Sequence, residues 1–181
     1  MVQSIELLLD DEGESAVRGS WAALADAGLP SLADRAGASN RPHVTVAVTD
    51  GDGFAAAEGA LRAVFAGWDL AGRGLAATIG APLLFGGHRQ RWVLARQVVT
   101  SRPLLTMHAA VHRALALGAS GAGVIAQTEP DGWTPHVTLA RRMPADRLPD
   151  ALAVLDLEPI AVRFRGARLW DSVAKAVTPL A

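Results

Sequence analysis

Two tripeptides stand out by residue type and spacing. His43-Val44-Thr45 follows Pro42, and His136-Val137-Thr138 follows Pro135. Val46, Ala47 and Val48 continue the first copy and Leu139-Ala140-Arg141 the second, so both read as short strands. Alternate side chains of a strand point to opposite faces. His43 and Thr45 then share one face, with Val44, Val46 and Val48 on the other. His136 and Thr138 likewise lie opposite Val137 and Leu139. The apolar face can enter a core while an imidazole and a hydroxyl stay open. With both copies facing one cleft, the ordinary imidazole pKa of about 6.5 lets one ring be neutral and the other protonated. The neutral ring can take a proton from attacking water, and the charged ring can give one to a leaving oxygen. Two threonine hydroxyls supply donors for the non-bridging oxygens of a phosphate. A phosphodiester cleaved in line needs these groups, and the scheme requires no metal.

The rest of the chain must position these strands. Ser4 to Leu9 reads as a strand and Gly13 to Ala27 as a helix, with Val17, Trp21, Leu24 and Gly28 on one face. Leu29 to Arg41 reads as a loop, and Asp50-Gly51-Asp52-Gly53 as a turn. Phe54, Leu61, Val64 and Phe65 mark a second helix, with Glu58 a polar exception on its stripe. Strands over Leu75–Leu84 and Arg91–Val98 are joined by Gly86-Gly87. Ser101 can cap a helix that tolerates Pro103 in its first turn and stops at Gly118. A loose stretch to Gly123 precedes Val124–Gln127, read as a strand, and the turn Glu129–Gly132. The second motif lies in Trp133–Arg141. A helix near Arg147–Leu155 and strands over Leu157–Phe164 and Ala167–Ala174 complete the chain.

Each motif strand precedes a helix, then an Asp-Leu pair (Asp69-Leu70 and Asp156-Leu157), then two strands. That order, twice over, indicates an internal duplication. The expected architecture is α+β: two pseudo-symmetric lobes, each an antiparallel sheet with helices outside, facing across a central cleft. Residues 1–181 form one bilobal domain, since no linker divides them.

The paired motif resembles the two-histidine (2H) phosphoesterase superfamily, which contains 2′-5′ RNA ligases and cyclic phosphodiesterases. Both His-x-Thr copies match, as do Phe85 with Arg91-Trp92-Val93-Leu94, the run His136–Arg141, and Leu169-Trp170-Asp171-Ser172. The resemblance implies that His43 and His136 are acid and base and that Thr45 and Thr138 bind phosphate. Arg141 is a further phosphate contact on that reading, although simple alternation puts it on the face away from Thr138. Phe85 would line the base or ribose pocket. The implied enzyme is a cyclic phosphodiesterase without a cofactor, possessing or lacking 2′-5′ ligase activity. A nucleotide-binding module of the same fold without turnover is the alternative. A metallohydrolase is a weaker third reading.

Composition narrows the partners. The 181 residues carry 17 Lys+Arg and 18 Asp+Glu, a net charge of −1. No general basic field exists to hold long nucleic acid. The expected partner is a small nucleotide or a short RNA end bearing a cyclic phosphate, bound by a monomer. The chain has no cysteine, which excludes disulfides, thiolate nucleophiles and cysteine-ligated metals. Lys175, its one lysine, precedes Ala176, so no Walker A loop is present. The first residues lack a basic signal-peptide start, and no apolar run approaches membrane-helix length, so a cytoplasmic location is expected.

Other candidates fare less well. His108 and His112 have zinc-ligand spacing, but Ala109 stands where a zincin needs Glu, and a packed helix histidine is expected. His88 sits in an exposed turn. Gly118–Gly123 lacks phosphate-loop spacing, and Ser120 lacks a nucleophile elbow. Arg163 and Arg165 read as solvent-facing strand residues or as an edge of the cleft. Arg89, Arg91 and Arg96 carry the same two readings.

Overall fold

The computed structural model describes residues 2–35, 37, 39–51, 54–118 and 123–181. Its elements run β1 (Val2–Leu9), α1 (Asp11–Asp26), β2 (His43–Asp50), α2 (Glu58–Gly67), β3 (Leu75–Gly86), β4 (Arg91–Val98), α3 (Arg102–Gly118), β5 (His136–Pro144), α4 (Leu148–Val154), β6 (Ile160–Asp171) and β7 (Ala176–Pro179). All strand pairings are antiparallel.

The pairings define two leaves. In the first, β1 lies between β2 and β6; in the second, β4 lies between β5 and β3. The leaves meet twice, where β3 joins the first half of β6 and where β2 touches β5 through the single pair Val44–Val137. Exchanging β1 with β4, β2 with β5 and β3 with β6 maps one leaf onto the other, which is the duplication expected from the repeated motif. The repeat unit is framed differently from the expected motif strand–helix–strand–strand: it is strand–helix–motif strand–helix–strand, with a strand and a helix before the motif and one strand after its second helix. β7 adds one strand at the edge of the first leaf.

Local sequence accounts for the helix ends. The Asp10 carboxylate accepts the Gly13 amide at 3.1 Å and caps α1, whose first turn is acidic. Gly28, expected on the buried face, lies beyond the helix at φ +66°. There it closes a Schellman turn, with its amide donating to Ala25 and that of Leu29 to Leu24. Ser101 caps α3 through the Leu104 amide, as its position predicts. The hairpin between β3 and β4 needs Gly87, since a Cβ there would meet the Trp92 ring at 2.7 Å.

Three expected elements differ. Val124–Gln127 forms no strand: Val124 makes one isolated bridge to Thr49, and Ala126–Thr128 is a 3₁₀ turn. The two terminal strands are one continuous β6, followed by a short hairpin to β7. Gly166, in the break expected between the two strands, lies within β6 at an irregularity opposite Leu8 and Leu9, where a Cβ would come 3.7 Å from the Leu8 side chain. Val48 leaves the Val44 face for the reason given below. Asp52, Gly53 and Ser120 lie outside the described residues. Among the described residues, no helix is long and apolar enough to cross a membrane.

One core runs through both lobes, from Ile5, Leu7 and Trp21 to Leu94, Leu139 and Phe164. His108 belongs to it, 1% exposed. Its ring stacks on Trp133 at 3.8 Å and its Nε2–H donates to the Val46 and Thr128 carbonyls. Burial pushes this imidazole down to about 4, and the neighbouring His112 adds to the effect. The unfolded chain therefore binds a proton from about pH 6.5 downward that the folded chain refuses until about pH 4. Stability contributed by this site is fully present above pH 6.5 and declines as pH falls through that window, by about 3 kcal/mol. Urea titrations from pH 7 to pH 4 should show this slope, and His108→Gln should flatten it. An unchanged slope in the variant would place the acid sensitivity elsewhere.

Candidate active site

β2 and β5 bring both motifs to the junction of the leaves. The pair Val44–Val137 fixes an antiparallel register in which His43 and Thr45 flank it on one strand and Thr138 and His136 on the other. Val44 and Val137 are buried, whereas all four motif side chains are partly exposed, so the face assignment from alternation holds.

The two imidazoles are held alike. His43 Nδ1 lies 2.7 Å from the Arg41 carbonyl, and His136 Nδ1 lies 2.7 Å from the Thr134 carbonyl. A carbonyl only accepts, so Nδ1 carries the proton in both rings. Nε2 is then the atom that can gain or lose a proton. Among the described residues, neither threonine hydroxyl is engaged by another side chain or by backbone.

The surroundings of the two rings differ. Phe85 packs against His136 with ring centroids 4.5 Å apart and planes tilted by 43°. Burial holds the His136 pKa below the usual imidazole value; the Thr134 carbonyl opposes this, while the charges of His43 and Arg141 add to it. His43 instead has a carboxylate beside it: Glu6 Oε1 lies 3.5 Å from Nε2, an ion pair when that ring is protonated.

Arg141 lies on the motif face, against simple alternation. In β5, Thr138 pairs with Ala95 and Ala140 with Leu94, so Leu139 is an extra residue. This bulge shifts the alternation by one, burying both Leu139 and Ala140 and returning Arg141 to the side of His136. Arg142 follows at φ +59° and completes a second irregularity opposite Val93. β2 carries the same device at the same offset: Thr45 pairs with Glu6 and Ala47 with Ile5, leaving Val46 extra. That is why Val48 turns away from the core face while Ala47 and Thr49 are buried.

The remaining candidates lie elsewhere. Arg163 and Arg165 donate to the Arg73 and Gly72 carbonyls and brace the turn before β3. Arg96 is fully buried, donating to the carbonyls of Gly80, Asp156, Leu157 and Glu158, which makes it a structural clamp. Arg91 reaches the Arg142 carbonyl. His88 and Arg89 are exposed in the hairpin turn.

A model of the 2′-5′ RNA ligase superfamily matches residues 12–176, a span that includes both motif copies. This chain belongs to the 2′-5′ RNA ligase superfamily. The superfamily fold is also found in solved structures of low identity. The MHV ns2 PDE domain is 16% identical, with TM-score 0.57 and 99% of each chain covered. Kluyveromyces marxianus Usb1 is 15% identical, with TM-score 0.54 over 99% of this chain and 97% of the other. E. coli LigT, solved with 3′-AMP, is 18% identical, with TM-score 0.53 over 99% and 94%. No curated protein matches this superfamily member.

Sequence reasoning missed the carboxylate of the site. Glu6 is 3% exposed, accepts from Arg168 Nε at 2.7 Å and from Ser4 Oγ at 2.8 Å, and sits opposite Arg168 in the β1–β6 register. A signal existed: Glu6 interrupts the apolar run Ile5–Leu9, with parity opposite to Ile5, Leu7 and Leu9.

Proposed function

We propose that this cleft hydrolyses cyclic phosphodiesters, either 2′,3′-cyclic nucleotides or the cyclic-phosphate ends of short RNA. The observation that carries the proposal is the matched pair of imidazoles, each with Nδ1–H tied to a carbonyl two residues upstream and Nε2 left for proton transfer. His136 is the base, because its lowered pKa keeps it neutral near pH 7. Its Nε2 takes a proton from water as the water oxygen attacks phosphorus. His43, protonated on Nε2 beside Glu6, gives its proton to the oxygen that leaves. Thr45 and Thr138 donate to the non-bridging oxygens, and Arg141 offsets their charge. Phe85, packed on His136, lines the space for the nucleoside. With a 5′-hydroxyl in place of water as the nucleophile and O3′ as the leaving oxygen, the same groups would join a 2′-5′ linkage. The scheme needs no metal.

The nucleotides in related structures support this substrate class: E. coli LigT was solved with 3′-AMP and with ATP, and K. marxianus Usb1 with uridine monophosphate. The test is turnover of a panel of 2′,3′-cyclic nucleotides, with the product resolved into 2′- and 3′-phosphates. Nucleotide bound without product would favour a binding module instead.

The pH dependence carries a sign. The base must be deprotonated, so the rate rises with pH through the His136 pKa. That pKa is lowered, so the acidic limb of the profile should have its midpoint below the ordinary 6.5. A midpoint at or above 6.5, with chemistry rate-limiting, would remove His136 from the role of base.

A further inference from the structure

We infer that Trp21 and Trp133 are reciprocal positioning residues, each indole N–H reaching from one lobe to hold the backbone of the other lobe's motif threonine. Trp21 stands on α1, in the first half of the chain, and its Nε1–H donates to the Thr138 carbonyl of β5 at 3.0 Å. Trp133 stands on the segment entering β5, and its Nε1–H donates to the Thr45 carbonyl of β2 at 2.9 Å. Thr45 and Thr138 are equivalent positions, each two residues after its histidine. The two indoles are not equivalent in sequence, yet their bonds obey the same pseudo-twofold as the motifs.

The need for such bonds follows from the strands. β2 and β5 share one ladder pair, Val44–Val137, and both bulge just beyond the threonines. A carbonyl that loses its ladder donor inside a protein must find another. An indole supplies one donor and no acceptor, on a rigid ring.

Each ring is itself fixed. Trp21 is 2% exposed, with the Arg18 guanidinium 5.5 Å above its ring and its own carbonyl taken by Ser31 Oγ at 2.6 Å. Trp133 is stacked face to face on His108 with planes 6° apart. His108 in turn donates to the carbonyl of Val46, the bulge residue, as does His112 at 3.3 Å. The ties therefore set how far apart the two His/Thr pairs stand. The inference rests on the acid–base reading, in which both imidazoles must address one phosphorus from opposite sides. A displacement of about 1 Å in such a pair costs on the order of a hundredfold in rate.

Trp133→Phe keeps a ring for His108 and deletes the donor. With a 2′,3′-cyclic nucleotide as substrate, kcat should fall by roughly ten- to a hundredfold and KM should stay within about twofold. A merely structural role would lower the melting temperature and leave kcat at working temperature unchanged, which would overturn the inference. The second arm needs no turnover. Nitrogen-15 spectra of the full chain report solvent exchange of each indole N–H. In Trp133→Phe the Trp21 indole should exchange roughly tenfold faster or more, because loosening one tie lets the lobes part. Unchanged Trp21 exchange would overturn reciprocity. If the wild type turns nothing over, the acid–base reading falls, and the exchange arm alone decides whether the two indoles tie the lobes.

Discussion

Alanine at His136 is expected to lower turnover of a cyclic phosphodiester by about 10³-fold, with the chain still folded. General acid–base groups contribute roughly 10²- to 10⁴-fold, and His136 is cast as the base that generates the nucleophile. The ring is partly exposed and, among the described residues, its one hydrogen bond runs to the Thr134 carbonyl, which solvent can take over. The fold should therefore tolerate its loss. KM should rise modestly, because Phe85 loses the surface it packs against. His43→Ala should cost a similar factor. The double variant should be scarcely worse than either single one, since acid and base act on one transition state and their losses do not add. Steady-state rates with matched circular dichroism spectra check this. Multiplicative losses would mean that the two rings serve separate steps.

Arg168→Ala is expected to destabilise the protein by about 3–5 kcal/mol, the range for stripping one partner from a buried ion pair. Arg168 and Glu6 are 4% and 3% exposed, and Arg168 also donates to the Ser39 carbonyl at 2.9 Å. Truncation leaves the Glu6 carboxylate in the interior, with Ser4 Oγ at 2.8 Å and the His43 ring at 3.5 Å. Total stabilities of about 5–15 kcal/mol make this a severe loss. Adding Glu6→Gln removes the stranded charge and should recover part of it, with a reduced kcat because His43 then faces no carboxylate. Urea midpoints at pH 7 give the comparison. A loss under about 1 kcal/mol for Arg168→Ala would show that water reaches the pair.

The motif and its faces were legible because a strand's period of two is unforgiving: His43 with Thr45 and His136 with Thr138 are partly exposed beside buried valines. The duplication was legible because the two copies keep their flanking helices. Other features depend on contacts that no local pattern carries. The bulges at Val46 and Leu139 reverse the alternation, so Val48 and Arg141 were assigned to the wrong faces. Nothing in the composition of either strand announces an extra residue. The break expected between Phe164 and Ala167 does not occur, because pairing with β1 carries β6 straight through. Glu6 gains its meaning only when β1 comes to lie between Arg168 on β6 and His43 on β2. Arg96 looked like a surface or cleft arginine because its four carbonyl partners lie 16 to 62 residues away.

The central claim is that two histidines at one cleft cleave a cyclic phosphodiester. The direct measurement is product formation from a 2′,3′-cyclic nucleotide panel and a cyclic-phosphate-ended oligonucleotide. Wild type and the His43→Ala/His136→Ala variant are run side by side in chelator. The account predicts a nucleoside 2′- or 3′-phosphate from the wild type and at least about a hundredfold less from the variant. Equal product from both, or product from the wild type that vanishes in chelator, would contradict it.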